Sequence, residues 1–154
     1  MKIKNLVKPV GTAAIALGIA AATVVPATAA DNIQKFGVRE TLNAFGTGAP
    51  LIGYIVDNLA PSSDAVAHNG QLYEATLTVD SPGGWATPVI PNFNARAENS
   101  QLYPAIGNAP GGVSGAAVPP GGSSTGKLYF DVVGEVPNSV VYNDGMRDIL
   151  AWVP

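Results

Sequence analysis

His68 is the only histidine of the chain, and its imidazole is the side chain best suited to acid–base catalysis near neutral pH. A serine hydrolase would need His68 next to a serine and an aspartate. Ser114 and Ser124 lie in glycine-rich sequence, and we interpret neither as the nucleophile elbow of a hydrolase. Because residues 64–70 resemble a turn, we expect His68 to be a solvent-exposed loop residue rather than a catalytic base.

Metal binding is poorly supported by the spacing of possible ligands. Asp64 and His68 are four residues apart, which brings two ligands to one metal only on a helix, and this stretch is not helical in pattern. The Asp-x-Asp-x-Asp-Gly pattern of a calcium loop is absent. The chain has no cysteine, which excludes thiol catalysis, iron–sulfur clusters and cysteine zinc sites. We therefore predict no metal site and no cofactor.

Three acidic residues, Glu74, Asp131 and Glu135, could in principle form the carboxylate pair of a glycosidase. Each lies at an outward-facing position or at the end of a predicted strand, where solvated acids are common. The glycines at 121 and 122 are not followed by Lys-Ser/Thr or by a helix, so they do not form a phosphate-binding loop. The sequence thus predicts no catalytic, cofactor-binding or metal-binding residues, and we expect a protein that is not an enzyme.

The two tryptophans have different surroundings. Trp85 follows Pro-Gly-Gly and is either an exposed aromatic anchor for a partner or the start of a strand that packs inward. Trp152 alternates with Leu150 and is expected in the core.

Short strands, rather than helices, must position these residues. Residues 71–79 alternate, with Tyr73, Ala75, Leu77 and Val79 on one face and polar side chains on the other. Residues 127–133 repeat the pattern: Leu128, Phe130 and Val132 are predicted to point inward, and Lys127, Tyr129 and Asp131 outward.

Further strands are predicted from apolar runs and turn signals. Residues 51–56 are apolar on both faces and indicate a central strand, while 139–142 and 148–153 flank an Asn-Asp-Gly hairpin turn. Weaker candidates are 33–42, 89–95 and 101–103, and one helical turn within 144–150 is an alternative.

The resulting fold class is all-β. Seven or eight short strands predict an antiparallel β-sandwich, with an eight-stranded barrel as the alternative. The chain has no cysteine, so no disulfide is expected. Any likeness to immunoglobulin domains must therefore rest on the strand architecture and not on the cysteine pair of antibody domains.

The segment 104–126 is unusual, because seven of its 23 residues are glycine and four are proline. Ordering such a chain costs backbone entropy. It is either a mobile surface loop or a loop that contains one edge strand near residues 113–118, and the sequence leaves both open.

Residues 1–29 have the order of a secretory signal peptide: a basic start to Lys8, an apolar run over 10–25, and small residues ending Ala27-Thr28-Ala29. Cleavage before Ala30 fits best, and cleavage one residue later also fits. The apolar run of about 16 residues is shorter than the roughly 20 that span a bilayer, so a permanent anchor is not expected. We predict a signal-peptide helix over 1–29, one domain over 30–154, and an extracellular location.

Removing the leader changes the charge balance. The whole chain has a net charge of −3, but residues 30–154 hold five basic and eleven acidic residues, a net charge of −6. No basic stripe remains that could neutralise phosphates, so nucleic acid is an unlikely partner.

Several segments resemble one known family. Residues 124–132 (STGKLYFDV) and 143–154 (NDGMRDILAWVP), with 73–76 (YEAT) and 92–96 (NFNAR), are similar to the mycobacterial secreted immunogenic proteins of the MPT/MPB sixty-three type. The likeness spans most of the chain and is weaker over 31–69 and 104–122. It implies a secreted immunoglobulin-like sandwich without disulfides and with no established enzymatic activity, and it transfers no catalytic residue.

We therefore expect a secreted, immunogenic binding module whose protein partner and oligomeric state the sequence does not specify. The alternatives are a carrier of a small apolar ligand inside a barrel and a sandwich-fold hydrolase that uses His68 or the acidic residues.

Overall fold

The computed structural model describes Ala30 and residues 32–154, so the predicted leader lies outside the described residues. Within these residues the chain forms nine strands. They are β1 (Asn32–Lys35), β2 (Arg39–Asn43), β3 (Pro50–Pro61), β4 (Gln71–Asp80), β5 (Phe93–Ala97), β6 (Leu102–Pro104), β7 (Ser123–Val132), β8 (Pro137–Asn143) and β9 (Asp148–Val153). A 3₁₀ helix, Ile90–Asn92, precedes β5. This part of the chain contains no helix with the length and apolar character needed to cross a bilayer.

The strands form two sheets that pack face to face. The four-stranded sheet has the order β2-β3-β4-β7, and the five-stranded sheet has the order β1-β9-β8-β5-β6. All neighbouring pairs are antiparallel except β1 and β9, which are parallel. The predicted immunoglobulin-like sandwich is confirmed, and the barrel alternative is wrong because the strands do not close into one sheet.

The strand count exceeds the expected seven or eight because residues 33–42 form two strands instead of one. Gly37, at φ +86°, lies in the turn between them. This turn moves the chain from the five-stranded sheet to the four-stranded sheet. The turn at Asn143-Asp144-Gly145 connects β8 to β9 as predicted, and no helix forms there. Residues 89–95 are only partly strand, because the 3₁₀ helix occupies 90–92.

Four aromatic rings join the two sheets in the core. The Tyr54 ring on β3 lies 5.1 Å from the Phe93 ring and 5.4 Å from the Tyr142 ring, both on the opposite sheet. Trp152 stacks on Phe93 at 6.2 Å and is fully buried, as predicted. Its indole N–H donates to the Val38 carbonyl at 2.8 Å, which satisfies the one polar atom of the ring.

Strand β4 confirms its predicted alternation, and β7 does so with one exception. Tyr129, predicted to point to solvent, is 1% exposed. It does lie on the outer face of the sheet, but there it packs with Val66 and Leu72 in a second apolar cluster, with Ile106 and Ala109 at its margin. The period-two pattern therefore predicted the correct face of the sheet for Tyr129. It could not show that loops cover this part of the outer face.

The glycine-rich segment, residues 104–126, is one of the covering loops. The Ala105 N–H donates to the Phe93 carbonyl of the five-stranded sheet at 3.0 Å, and the Ile106 N–H donates to the Tyr129 carbonyl of the four-stranded sheet at 2.8 Å. Val113 donates to Lys127 at 2.9 Å, farther along β7. The loop thus covers part of the otherwise free edge of β7, which protects it from pairing with other chains. Of the two alternatives for this segment, the edge strand over 113–118 does not form, and only isolated bridges occur at residues 112 and 118.

Gly126 allows this loop to approach β7, because a Cβ atom there would overlap the Cα of Val113. We expect Gly126→Ala to lower the free energy of unfolding by about 1–3 kcal/mol, the usual cost of overpacking. Urea denaturation followed by circular dichroism measures this difference.

Gly115→Ala is the matched control, since a Cβ at Gly115 meets no atom within 4 Å. We expect it to change stability by less than about 1 kcal/mol in either direction. Equal losses in the two variants would contradict the proposed contact between Gly126 and the loop.

Candidate functional site

An open apolar groove of about 660 Å³ lies at one end of the sandwich. Its walls come from the start of β3, where Leu51 is 53% exposed, and from residues 82–89 after β4. Its floor includes the core rings Tyr54 and Tyr142. The groove is therefore an opening between the two sheets, where the core reaches the surface.

The loop that carries Trp85 is held on both sides of it. The Ser81 hydroxyl donates to the Gly84 carbonyl, and Ala86 exchanges two backbone hydrogen bonds with Val118, at 3.0 and 2.7 Å. Between these fixed points Trp85 is 72% exposed. The inward-packed interpretation of Trp85 is therefore wrong, and the side chain is exposed. A role for it as an anchor for a partner stays a prediction.

The hydroxyl groups on the groove floor are already satisfied within the protein. Asn92 donates its side-chain N–H to the Tyr142 hydroxyl at 3.1 Å. Burial raises the pKa of Tyr54 well above its ordinary value, and the hydrogen bond from the Val89 N–H only partly opposes this shift. Tyr54 is therefore neutral at physiological pH, and the two hydroxyl groups give the floor a weakly polar character.

Two further large apolar side chains are exposed in turns that adjoin lining residues of the groove along the chain. Phe45, in the turn between β2 and β3, is fully exposed, and Met146, in the turn between β8 and β9, is 93% exposed. We call the surface formed by Phe45, Leu51, Trp85, Val89 and Met146 the apolar end. Exposed apolar residues gathered in this way mark interaction sites in soluble proteins.

A polar network lies on the outer face of the four-stranded sheet. Lys127 contacts Asp64 at 2.6 Å and Glu74 at 3.0 Å, and the Tyr129 hydroxyl donates to Asp64 at 2.6 Å. Ser62 donates to Glu74. Hydrogen bonds from Lys127 and Tyr129 lower the pKa of Asp64, and those from the lysine to both acids raise the pKa of Lys127.

This network fastens a loop and does not resemble a catalytic pair. Burial, followed by the hydrogen bond to Asp64, raises the pKa of Tyr129 to about 12, so the phenol remains a donor. Asp64 accepts hydrogen bonds from the Lys127 ammonium and the Tyr129 hydroxyl. These two bonds hold residues 62–70 over the Tyr129 ring. Sequence analysis treated Glu74 as a solvated acid and missed its ion pair with Lys127. Their outward positions on adjacent strands were the available signal.

The remaining candidate residues are separate from one another. Asp131 accepts hydrogen bonds from the backbone N–H groups of Asn69 and Gly70, at 2.9 and 2.7 Å, which lower its pKa. Glu135 is exposed in the turn after β7. His68 is exposed, as expected, and its Nδ1 lies 2.6 Å from the Val66 carbonyl oxygen. Among the described residues, no three His, Cys, Asp or Glu side chains form a group that could hold a metal.

Residues 122–126, Gly-Ser-Ser-Thr-Gly, match the Gly-x-Ser-x-Gly pattern literally, which the sequence interpretation passed over. In hydrolases this motif forms a sharp turn between a strand and a helix. Here Ser124 lies within β7 and pairs with Val79 in a regular antiparallel ladder. The segment therefore lacks the turn that would expose a nucleophile.

The domain model described as a domain of unknown function, DUF1942, matches residues 31–152. The chain belongs to this family. It is 37% identical over 161 aligned residues, covering both chains fully, to the immunogenic protein MPB63 of Mycobacterium bovis and to MPT63 of Mycobacterium tuberculosis. The crystal structure of the secreted protein MPT63 from Mycobacterium tuberculosis superposes with a TM-score of 0.74 at 37% identity, covering 79% of this chain and 96% of that one. The resemblance drawn from the sequence is thereby confirmed.

Two buried polar features of this DUF1942 chain were not found by sequence analysis. Arg96 forms a two-pronged ion pair with Asp148, at 2.8 and 3.2 Å, and both side chains are buried. Asn94 and Asn143 complete this network through hydrogen bonds to Arg96 and Asp148. It joins β5 to the start of β9 within the five-stranded sheet.

The second feature is Glu40 on β2, which is 5% exposed and has one carboxyl oxygen without a hydrogen-bond partner. Burial raises the pKa of Glu40 to about 7, and a hydrogen bond from the Ala151 backbone N–H partly opposes the shift. Between pH 4.5 and 7 the folded protein therefore retains a proton that the unfolded chain has lost. Glu40 makes the fold less stable as the pH rises through this window.

Glu40→Gln removes the titration and keeps the shape of the side chain. We expect the variant to gain stability relative to the natural protein as the pH rises from 4.5 to 7, by up to roughly 3 kcal/mol, and the difference to level off above that pH. Urea unfolding at several pH values measures it.

Glu98→Gln, at an exposed position, controls for the general effect of removing one negative charge from an acidic domain. If the two variants follow the same pH profile, Glu40 does not have the shifted titration described here.

Proposed function

We propose that this DUF1942 chain is exported by its first 29 residues and acts outside the cell as a non-enzymatic, immunogenic binding module. In this proposal the apolar end is the surface that contacts a protein partner. The observation that carries it is the exposure of Trp85 on a loop held on both sides.

The energetics of the apolar end support a protein contact. Trp85, Phe45 and Met146 are large side chains in contact with water, and burying each against a partner removes unfavourable apolar surface. Tryptophan is enriched among residues that dominate binding energy. Because the loop on both sides of Trp85 is already ordered, binding loses little backbone entropy.

The charge balance and the polar networks support a binding role over catalysis. Residues 30–154 hold five basic and eleven acidic residues, and Arg39, Arg96 and Lys127 are paired with carboxylates, so the excess charge of the domain is negative. The family relatives are named as immunogenic proteins and, in one case, as a secreted protein. Export and immunogenicity of this chain follow by analogy with them.

The partner interaction can be tested with immobilised domain 30–154 and fractions of bacterial envelope or host cells. We expect saturable capture at micromolar concentration that falls at least about tenfold with Trp85→Ala or Phe45→Ala, since each removes an aromatic contact. Both side chains are exposed, so the variants retain the fold.

Val133→Ala is the control, because Val133 is 67% exposed and lies outside the apolar end. Capture that persists in the Trp85 and Phe45 variants, or that Val133→Ala weakens equally, contradicts the proposed surface. Absence of any saturable partner counts against the binding role itself.

Export is tested by expressing the full chain in a mycobacterial host and measuring the intact mass of the protein in the medium. We expect the secreted protein to begin at Ala30 or Asp31. Changing Ala27 and Ala29 to glutamine should retain the precursor in the cells, because the signal peptidase requires small residues there. Secreted protein that still contains residues 1–29 would refute cleavage.

A further inference from the structure

We propose that the groove at the apolar end binds one uncharged, apolar small molecule, such as an aromatic ring system or an alkyl chain with a neutral end group. This goes beyond the proposed protein contact and does not depend on it. It also differs from the barrel-interior carrier considered from the sequence, because the ligand lies at the open end of a filled sandwich.

The size of the groove fits a single small molecule. Its volume of about 660 Å³ lies within the range of 300–1,000 Å³ that is typical of ligand pockets. The space below it is occupied by the Tyr54, Phe93 and Tyr142 rings, which pack within 5.1–5.4 Å of one another. A ligand therefore stops at the tyrosine rings and does not enter the core.

The charge of the groove selects the ligand class. None of the fourteen lining residues is charged. Arg39, whose strand leads toward the groove, is held by Asp80 at 2.6 Å and does not line it. An anionic or cationic group inside the groove would lose hydration without gaining an ion-pair partner. An uncharged ligand avoids this loss.

The lining supplies the contacts that such a ligand needs. Trp85 and Leu51 present apolar surface from the two walls, and each is more than half exposed in the free protein. A flat or extended apolar molecule that contacts both side chains would remove their apolar surface from water. The open glycines at 83 and 84 leave room beside the Trp85 ring, because added Cβ atoms there would meet no neighbour within 4 Å.

The test uses the uncharged fluorescent probe N-phenyl-1-naphthylamine and the purified domain 30–154. We expect saturable probe fluorescence with a stoichiometry near one, confirmed by calorimetry. Trp85→Ala should raise the dissociation constant at least about tenfold, because it removes one wall of the groove. As a second variant, Leu51→Asp places a charge in the opposite wall and should weaken binding by a similar factor.

Phe45→Ala is the matched control, since Phe45 is an exposed aromatic residue of the apolar end that does not line the groove. It should leave probe binding unchanged while weakening the protein contact proposed above. The two proposals can therefore fail separately. If capture of a protein partner is not observed but the probe binds, only the proposed protein contact is wrong. If the probe does not bind but a partner is captured, only the proposed ligand site is wrong.

Charge selectivity is tested by displacing the probe with 1-dodecanol or with dodecanoate. We expect the alcohol to displace it at a concentration at least about tenfold lower. Equal displacement by the carboxylate overturns the assignment of an uncharged ligand. Absence of saturable probe binding, or equal binding by the natural protein and Trp85→Ala, overturns the site itself.

Discussion

A cluster of aromatic rings crosses the core and links the two sheets. Tyr54 belongs to the four-stranded sheet, while Phe93 and Tyr142 belong to the five-stranded sheet, and the three rings meet at 5.1–5.4 Å. With no cysteine in the chain, no disulfide can replace this contact. Burial of these rings and of Trp152 therefore has to provide much of the stability that a small exported domain often obtains from disulfides.

The same contact connects the core to the candidate site. Tyr54 and Tyr142 bridge the sheets and also form the floor of the groove. The groove thus has a rigid base, while its walls come from the beginning of β3 and from the loop that carries Trp85. A rigid floor with exposed apolar walls is the arrangement expected of a preorganised binding surface.

Loops cover much of the remaining surface that could associate with other chains. The glycine-rich segment occupies part of the edge of β7, and the loop fastened by Asp64 and Lys127 covers Tyr129 on the outer face. Both loops bury apolar surface that would otherwise resemble a docking site. Among the described residues, Trp85 and Phe45 are the aromatic side chains that remain exposed, which gives their exposure functional weight.

Local sequence patterns were enough to predict the fold class and much of the strand layout. The alternation at 71–79 and the hairpin signal at Asn143-Asp144-Gly145 depend on neighbouring residues, so they can be read from the chain directly. The family resemblance rested on contiguous segments in the same way. The division of residues 33–42 between two sheets was missed, because the partner of a strand is a long-range property.

The candidate site was decided by tertiary structure. The sequence left Trp85 open between an anchor and a core residue, because exposure depends on what the rest of the chain places over a side chain. Tyr129 was assigned to the correct face and the wrong environment for the same reason. Composition and short-range periodicity were enough to predict a cysteine-free β-sandwich. Only the tertiary structure decided which apolar residues are covered and where the core opens to form a groove. The physical reason is that both depend on which loops, distant in sequence, pack onto the sheets.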